Sequence, residues 1–185
     1  MAEKTLFILV SYAHILFFLR KAGTIITASL IKKYKNRKKR KVTLDSNVLI
    51  AFIVSKRNNT IIKKVVLKSV TEDQLMLTDV IYNECLLYAE QKGARASREE
   101  VSGNLVEISP KIIKITPMPS KEELLKRYQI RDEKDLQILF SVDKTKSVIL
   151  VTMDKDFENA TGVEAVIMDP KEYLQERGQK RKKIL

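Results

Sequence analysis

Short runs of aliphatic and β-branched residues recur along the chain from residue 41 onward. Each run is five or six residues long and is bounded by polar or proline-containing stretches, which is the pattern of strands in a sheet. The run at 111–116 alternates apolar and polar positions, whereas the run at 147–152 is apolar almost throughout. The pattern predicts five strands, over residues 41–45, 74–78, 111–116, 147–152 and 164–168.

The stretches between these runs have apolar residues at helical spacing. Two of them begin with the capping-box spacing, at Ser97 with Glu100 and at Ser120 with Glu123. The pattern predicts further helices over residues 47–56 and 61–70, from Thr78 or Asp79 to about residue 92, over 135–144, and from Pro170 to a stop at Gly178.

Strands that alternate with helices favour a parallel sheet covered on both faces. The predicted fold class is therefore α/β, a three-layer α/β/α sandwich with a mostly parallel central sheet and a hydrophobic N-terminal helix in front of it. In such sheets ligands bind beyond the carboxyl ends of the strands. Polar residues that follow the predicted strands are therefore the first candidates for function.

The first 41 residues differ in composition from the rest. Residues 5–19 carry no charge and are apolar almost throughout, and a second uncharged run covers 22–31 after a pair of cations. Eight cations in ten residues follow at 32–41. A membrane-spanning helix needs about 20 apolar residues, so neither run is long enough alone, and a cation pair near the middle of a 5–31 helix is costly.

Four interpretations of this extension stay open. In the first, the extension is a signal anchor: residues 5–31 tether the chain to the membrane, and the basic block keeps the rest of the chain in the cytoplasm. Alternatively the start is mis-called and the protein begins near Val42, or the extension is a partner-binding or interfacial helix. A cleaved signal peptide is the fourth interpretation, although no small-x-small cleavage site precedes the basic block.

The net charge of +12 is unevenly distributed. Residues 1–41 carry a net +10 and the tail 178–185 a net +4, so the body, residues 42–177, has a net charge of −2. These differences in net charge along the chain predict three regions, namely an N-terminal extension (1–41), one folded domain (42–177) and a basic tail (178–185). We expect the basic linker to be solvated or to face lipid headgroups rather than to recognise RNA specifically.

Cysteine and histidine are nearly absent. Cys85 is the only cysteine and His14 the only histidine, which excludes an internal disulfide framework, a cysteine-based zinc site and a histidine-cluster metal site. Any metal in this protein must therefore be held by carboxylates.

Two acidic residues stand out by position. Asp45 ends the first predicted strand, where an aspartate commonly caps the next helix. Glu84 lies in the helix after the second strand, and its neighbours at helical spacing are apolar, from Val80 and Ile81 to Leu87. A carboxylate in an apolar stripe is costly unless a cation or a metal offsets its desolvation. Alternatively, Glu84 lies at the edge of the apolar stripe and its carboxylate reaches water.

Further acids follow the same topological rule. Asp132 and Asp135 lie at the start of a predicted helix, where capping or the helix dipole explains them, and Asp154 and Asp156 follow the strand at 147–152, where loop solvation explains them. Taken together, Asp45, Asp135 and Asp154 can meet at one sheet edge, and Glu84 is on a helix that leaves that edge. Converging carboxylates repel one another unless a divalent cation lies among them. Without softer ligands the expected ion is Mg²⁺ or Mn²⁺, which suits phosphodiester hydrolysis by an activated water.

The ordered segments VTLDSNVLIAF (42–52), DVIYNECLLYA (79–89), RDEKDLQIL (131–139) and VILVTMDKDF (148–157) resemble those of PIN-domain ribonucleases, particularly toxins of the VapC-like kind. The resemblance covers about residues 42–175. It implies four acids that bind Mg²⁺ or Mn²⁺ and cut single-stranded RNA or exposed RNA loops, with a 5′-phosphate and a 3′-hydroxyl as products.

Carried over residue by residue, the resemblance implies a set of metal-binding and catalytic residues. These are Asp45, Glu84, Asp135 and Asp154, with Asp132 and Asp156 as substitutes for the latter two, and with Asn47 and Thr152 as polar supports. Arg131 and Lys155, each next to a proposed ligand, are candidates for RNA phosphate contacts. The implied partners are RNA, an antitoxin protein and a second copy of the chain.

Two other functions stay open on the sequence. The first is a stand-alone RNA-processing nuclease with the same chemistry. The second is a non-catalytic, membrane-tethered module that binds RNA or a protein partner, although that interpretation would need an incomplete set of acids.

Overall fold

The computed structural model describes residues 39–55 and 60–182, with side chains to residue 176. The hydrophobic run at 5–31, and with it the predicted N-terminal helix and membrane association, lies outside the described residues. Within the described part of the chain, no helix is both long enough and apolar enough to span a membrane.

All strand pairs in the described residues are parallel. One sheet has the order β2-β1-β5-β6, and β3 pairs with β4. The strands are β1 (Lys41–Leu44), β2 (Gln74–Leu75), β3 (Leu77–Thr78), β4 (Ile112–Ile113), β5 (Ile149–Val151) and β6 (Val166–Met168).

The predicted strand at 74–78 is divided in two by Met76. Before Met76 the chain pairs with β1, and after it the chain pairs with β4. The Met76 amide still donates to the Val42 carbonyl oxygen at 2.8 Å, so the segment changes its partner without leaving the layer. The two sheets are therefore joined through this segment.

Seven α-helices and one 3-10 helix (Lys155–Asn159) connect the strands in the described residues. The α-helices are α1 (Ser46–Val54), α2 (Thr60–Thr71), α3 (Asp79–Ala89), α4 (Arg98–Ile108), α5 (Lys121–Tyr128), α6 (Glu133–Thr145) and α7 (Pro170–Lys182). Both predicted capping boxes are present, since Ser97 and Glu100, and likewise Ser120 and Glu123, exchange amide-to-side-chain hydrogen bonds of 2.9–3.3 Å.

Several predicted boundaries are wrong. Helix α3 ends at Ala89 and not near residue 92, since the chain then turns through Gly93 at a φ of 88°. Helix α7 continues through Gly178 to Lys182, because glycine costs a helix about 1 kcal/mol but ends it only where the chain turns away. The predicted strand at 111–116 shortens to Ile112–Ile113.

Helices cover both faces of the sheet. Successive side chains of a strand point to opposite faces, and all three residues of β5 are at most 2% exposed. Helix α2 packs against α7, while α3 packs against α1, α4 and α6. The predicted α/β class with a mostly parallel central sheet is confirmed.

An ionic network, here called the Arg40 clasp, joins residues just before β1 to α7. The Arg40 guanidinium binds Asp73 through two hydrogen bonds of 3.2 Å and Glu176 through two of 2.6–2.7 Å. The Tyr173 hydroxyl donates to the same Asp73 carboxylate at 2.7 Å, and Lys39 donates to the Thr71 carbonyl oxygen at 2.9 Å. Two residues that the sequence assigns to the basic linker thus contact the folded domain.

Candidate metal centre

Carboxylates gather at the carboxyl edge of the central sheet. Asp45 directly follows β1, and Asp154 lies three residues after the end of β5. Glu84 lies on α3, which leaves this edge after β3, and Asp135 lies in the first turn of α6. The topology therefore brings together residues that are up to 109 positions apart in the sequence.

Asp45 is buried, and its side chain accepts three hydrogen bonds. It is the N-cap of α1, with Oδ1 accepting from the Ser46 amide at 2.7 Å and from the Ser46 hydroxyl at 3.4 Å, and Oδ2 accepts from the Thr152 hydroxyl at 2.6 Å. The pKa of this carboxyl is raised to about 6, first by burial and then by the nearby charges of Glu84 and Asp154, while the hydrogen bonds from Thr152 and the Ser46 amide oppose the increase. The capping interpretation of Asp45 is correct, and it coexists with a position among other acids.

Thr152 and Asn47 brace the edge between β1 and β5. The Thr152 hydroxyl donates to Asp45 and accepts from the Asn47 side-chain amide at 3.2 Å and from the Asp154 backbone amide at 2.9 Å. The Asn47 side-chain oxygen accepts from the Met153 amide at 3.2 Å. These bonds fix the loop after β5 relative to the start of α1, so the two strand ends cannot move independently.

Glu84 has one carboxylate oxygen that no protein group binds in the described residues. Its Oε2 atom is buried and has no hydrogen-bond partner. A buried carboxylate oxygen without a partner costs free energy, because desolvation is not compensated. The predicted apolar surroundings hold only in part, since Ile81 is fully buried but Leu87 is 52% exposed.

Asp135 has neighbouring acids on several sides. Its pKa is raised to about 7, first by burial and then by the charges of Asp132, Asp154, Asp45 and Glu84, in that order. A carboxyl with such a pKa is partly protonated near neutral pH unless a cation balances the surrounding negative charge. The acids at this edge therefore form one electrostatically coupled group.

The two predicted substitutes behave differently. Oxygens of Asp156, Asp135 and Asp154 lie within 4.8 Å of one another, and the Asp156 amide donates to Asp154 Oδ1 at 2.9 Å. Asp132 is instead the N-cap of α6, with Oδ1 accepting from the amides of Lys134 (2.8 Å) and Asp135 (3.4 Å). The structure thus groups Asp156 with two of the proposed ligands and gives Asp132 a capping role.

The donor set fits a hard divalent cation. Every proposed ligand is a carboxylate, which suits Mg²⁺ or Mn²⁺ at a site that keeps water ligands. The Cys85 thiol lies nearby, 4.0 Å from the Ser46 carbonyl oxygen. Burial first, and then Glu84 and Asp45, raise the pKa of this thiol well above its usual range, so it stays protonated and is a poor ligand.

Three exposed side chains border the acids. Arg131 and Lys155, the predicted phosphate contacts, are both exposed and flank Asp132 and Asp154 in the sequence. Met153 is also exposed, at 44% of its surface. No hydrophobic or motif pattern in the sequence singles out Met153, and its place between Thr152 and Asp154 is the one signal that points to it.

The chain is similar to known proteins in sequence and in structure. The sequence model of the PIN domain matches residues 42–163. A solved structure of VapBC2 from Rickettsia felis, bound to a DNA fragment from their promoter, is similar with a TM-score of 0.53 at 14% identity, covering 70% of this chain and 98% of that one. VapBC-1 from nontypeable Haemophilus influenzae gives 0.46 at 17% identity, covering 71% and 98%.

A search of curated proteins finds no match to this chain. The domain match nevertheless covers well over half of the sequence and includes the first and last of the proposed acids, Asp45 and Asp154. The parallel sheet and the acids at its carboxyl edge agree with that match. The chain belongs to the PIN domain family.

Proposed function

We propose that this protein is a divalent-metal-dependent endoribonuclease, and that it is the toxin of a toxin–antitoxin pair. PIN domains are generally nucleases, which supports the reaction class. The RNA substrate and the toxin role rest on the resemblance of the four sequence segments to VapC-like toxins. Mg²⁺ or Mn²⁺ is the proposed ion.

One observation carries the proposal. Glu84 Oε2 is buried without a hydrogen-bond partner, and its carboxylate belongs to a group in which the pKa values of Asp45 and Asp135 are raised to about 6 and about 7. A purely structural cluster would satisfy or expose that oxygen. A bound cation would supply the missing partner and would favour the ionised form of all these acids.

The proposed roles follow from these positions. Asp45, Glu84, Asp135 and Asp154 hold the ion, and Asp156 is close enough to share that role. When bound, a divalent cation lowers the pKa of water and neutralises charge that develops on the phosphate. Asn47 and Thr152 keep Asp45 and Asp154 in register, and Arg131 and Lys155 contact RNA phosphates at the rim.

The partners belong to the same proposal. Besides RNA, we propose an antitoxin protein and a second copy of the chain as partners, by resemblance to VapC-like toxins. We also propose that the protein acts in the cytoplasm, and that residues 5–31 tether it to the membrane, since a block of cations follows them. The folded domain is then residues 42–177, preceded by the extension and followed by the basic tail.

The test is cleavage of an RNA with both single-stranded and structured parts by the purified full-length chain. We expect cutting with Mn²⁺ or Mg²⁺ and none with EDTA. Asp45→Asn and Glu84→Gln should each lower the rate by about 100-fold or more, because each removes a charge that the ion needs.

Glu107→Gln is the matched control, since it makes the same chemical change at an exposed position on α4 and should leave the rate unchanged. Equal loss in Glu107→Gln, or full activity in Glu84→Gln, would contradict the assignment of the site. If the folded, monodisperse protein binds RNA but cuts none with either metal, the non-catalytic binding module replaces the nuclease. Cutting that no co-expressed small partner inhibits would favour a stand-alone RNA-processing nuclease.

A further inference from the structure

Met153 is an apolar side chain in an unusual place. It is 44% exposed, although it lies between Thr152, which binds Asp45, and Asp154, which is one of the proposed ligands. Consecutive Cα atoms are 3.8 Å apart, so its backbone is within one residue of two members of the acidic site. No other large exposed hydrophobic residue of the described chain lies between two such residues.

The backbone on both sides of Met153 is fixed. Its own amide donates to the Asn47 side-chain oxygen at 3.2 Å, and the next amide, of Asp154, donates to the Thr152 hydroxyl at 2.9 Å. The backbone at Met153 is therefore held by the same side chains, Asn47 and Thr152, that brace the acidic site. The protein keeps an apolar group there even though a polar one would solvate better.

The proposed roles of the acids, through a bound cation, and of the rim cations concern the phosphates of a substrate, and phosphate contacts position a nucleic acid without reading it. Single-stranded RNA also presents unstacked bases, which proteins bind through apolar and aromatic surfaces. A methionine suits that task, because its thioether is polarisable, makes favourable contacts with aromatic rings and adapts to rings of different size.

We infer that Met153 contacts the nucleobase next to the scissile phosphate and so contributes to binding unpaired RNA with little base preference. This inference rests on the proposed function, because it takes the acids as the site of phosphate chemistry. It assigns to Met153 a share of substrate affinity and no part in the chemical step.

The test measures binding and cleavage separately on the full-length chain. Binding is followed by fluorescence anisotropy in a Glu84→Gln background, with a short single-stranded RNA and with a series in which one nucleotide at a time is abasic. We expect one abasic position to weaken binding of the Met153-containing protein. Met153→Ala should weaken binding of the intact RNA by about 3- to 10-fold and cause less than about a 2-fold change with the RNA abasic at that position.

In the otherwise unaltered chain, Met153→Ala should raise KM by a similar factor and leave kcat unchanged. Val106→Ala on α4 is the matched control, since Val106 has the same exposed fraction, 44%, and should change nothing. Equal effects of Met153→Ala on intact and abasic RNA, or no effect on either, would overturn the inference. If the chain cuts no RNA, the proposed function fails, while the anisotropy series still decides whether Met153 binds a base.

Discussion

The Asp45 carboxylate accepts hydrogen bonds from the Ser46 amide and the Thr152 hydroxyl, and it lies near the charges of Glu84 and Asp154. The two hydrogen bonds favour its ionised form, whereas burial and the neighbouring charges oppose it. Burial and the neighbouring charges have the larger effect, so the pKa is about 6 instead of the ordinary value near 3.9. An acid with this balance is costly to keep charged without a cation.

This balance predicts how stability depends on pH. Because the pKa values of Asp45 and Asp135 are raised in the folded state, to about 6 and about 7, the folded protein binds protons more tightly than the unfolded one between pH 4 and 7. The favourable contribution of these groups is present at low pH and is lost as pH rises through those values. In EDTA, the two groups should make the unfolding free energy about 2 kcal/mol larger at pH 5 than at pH 8, most of it from Asp45, because Asp135 is only half-buried and solvent screens its interactions.

Urea unfolding at the two pH values measures this difference. Other carboxylates titrate in the same range, so the reference is the double variant Asp45→Asn/Asp135→Asn, which lacks the two groups. Saturating Mn²⁺ should remove the advantage of low pH, because metal binding favours the ionised acids. Identical pH dependence in the parent and the double variant would show that the pKa values of these two groups are not raised by folding.

At the scale of elements, local signals predicted the starts of helices better than their ends. Each capping box needs only two residues three positions apart, so Ser97 with Glu100 is visible in the sequence and present in the structure. The end of α7 is not visible in this way, since Gly178 is compatible with both a stop and a continuation. The lengths of the short strands depend on partners far along the chain, which no local pattern specifies.

The loop after the 3-10 helix passes close to the end of α5. Gly162 has a φ of 74°, and a Cβ atom added there would be 2.1 Å from the Arg127 carbonyl oxygen near the end of α5. Next to it, the Thr161 amide donates to the Tyr128 carbonyl oxygen at 3.3 Å. Only glycine at position 162 lets the loop come close enough to donate this hydrogen bond to a carbonyl oxygen at the helix end.

Gly162→Ala should therefore lower the unfolding free energy by about 2 kcal/mol or more, from the left-handed conformation and the clash together. The comparison is Gly103→Ala on α4, where a Cβ atom meets nothing within 4 Å and the helical backbone favours alanine by about 0.5–1 kcal/mol. Chemical unfolding of both variants gives the two values. We expect Gly162→Ala to lower the unfolding free energy and Gly103→Ala to raise it. Equal stability of the parent and Gly162→Ala would refute the close approach of the loop to Arg127.

At the scale of the whole molecule, composition and the order of strands and helices were enough to predict where the acids meet, whereas contacts between particular residues could not be predicted. The near-absence of cysteine and histidine left carboxylates as the only ligands, and the alternation of strands and helices placed Asp45, Asp135 and Asp154 at one edge of a parallel sheet. Their roles as metal ligands stay a prediction. The proximity of Asp156 and the position of Met153 depend on the exact path of the loop after β5, which the sequence pattern does not describe.

The Arg40 clasp could not be predicted either, since Arg40 lies 33 residues from Asp73 and 136 from Glu176. Asp73 is fully buried, so removal of its partner leaves a desolvated charge that keeps a bond from the Tyr173 hydroxyl. Arg40→Met should lower the unfolding free energy by about 2–4 kcal/mol, less than a completely buried pair because Arg40 is 25% exposed.

Thermal and urea unfolding of the full-length chain measure this effect. Arg95→Met, at an exposed arginine, is the control and should change stability by less than about 0.5 kcal/mol. The stability of Arg40→Lys should lie between that of Arg40→Met and that of Arg95→Met, because an ammonium keeps the charge but cannot reproduce the contacts of the guanidinium with both carboxylates. A parent-like stability for Arg40→Met would mean that the clasp contributes nothing to folding.

The clasp also joins the segment that enters β1 to the last helix of the described chain. Arg40 stands immediately before β1 and Glu176 at the middle of α7, and their side chains are in direct contact. A short peptide linker can therefore join these two points, and new ends can be opened at an exposed turn such as the one at Gly93. Such a circular permutant should keep the fold with its carboxyl edge unaltered, which makes the domain a suitable insert for a host protein loop.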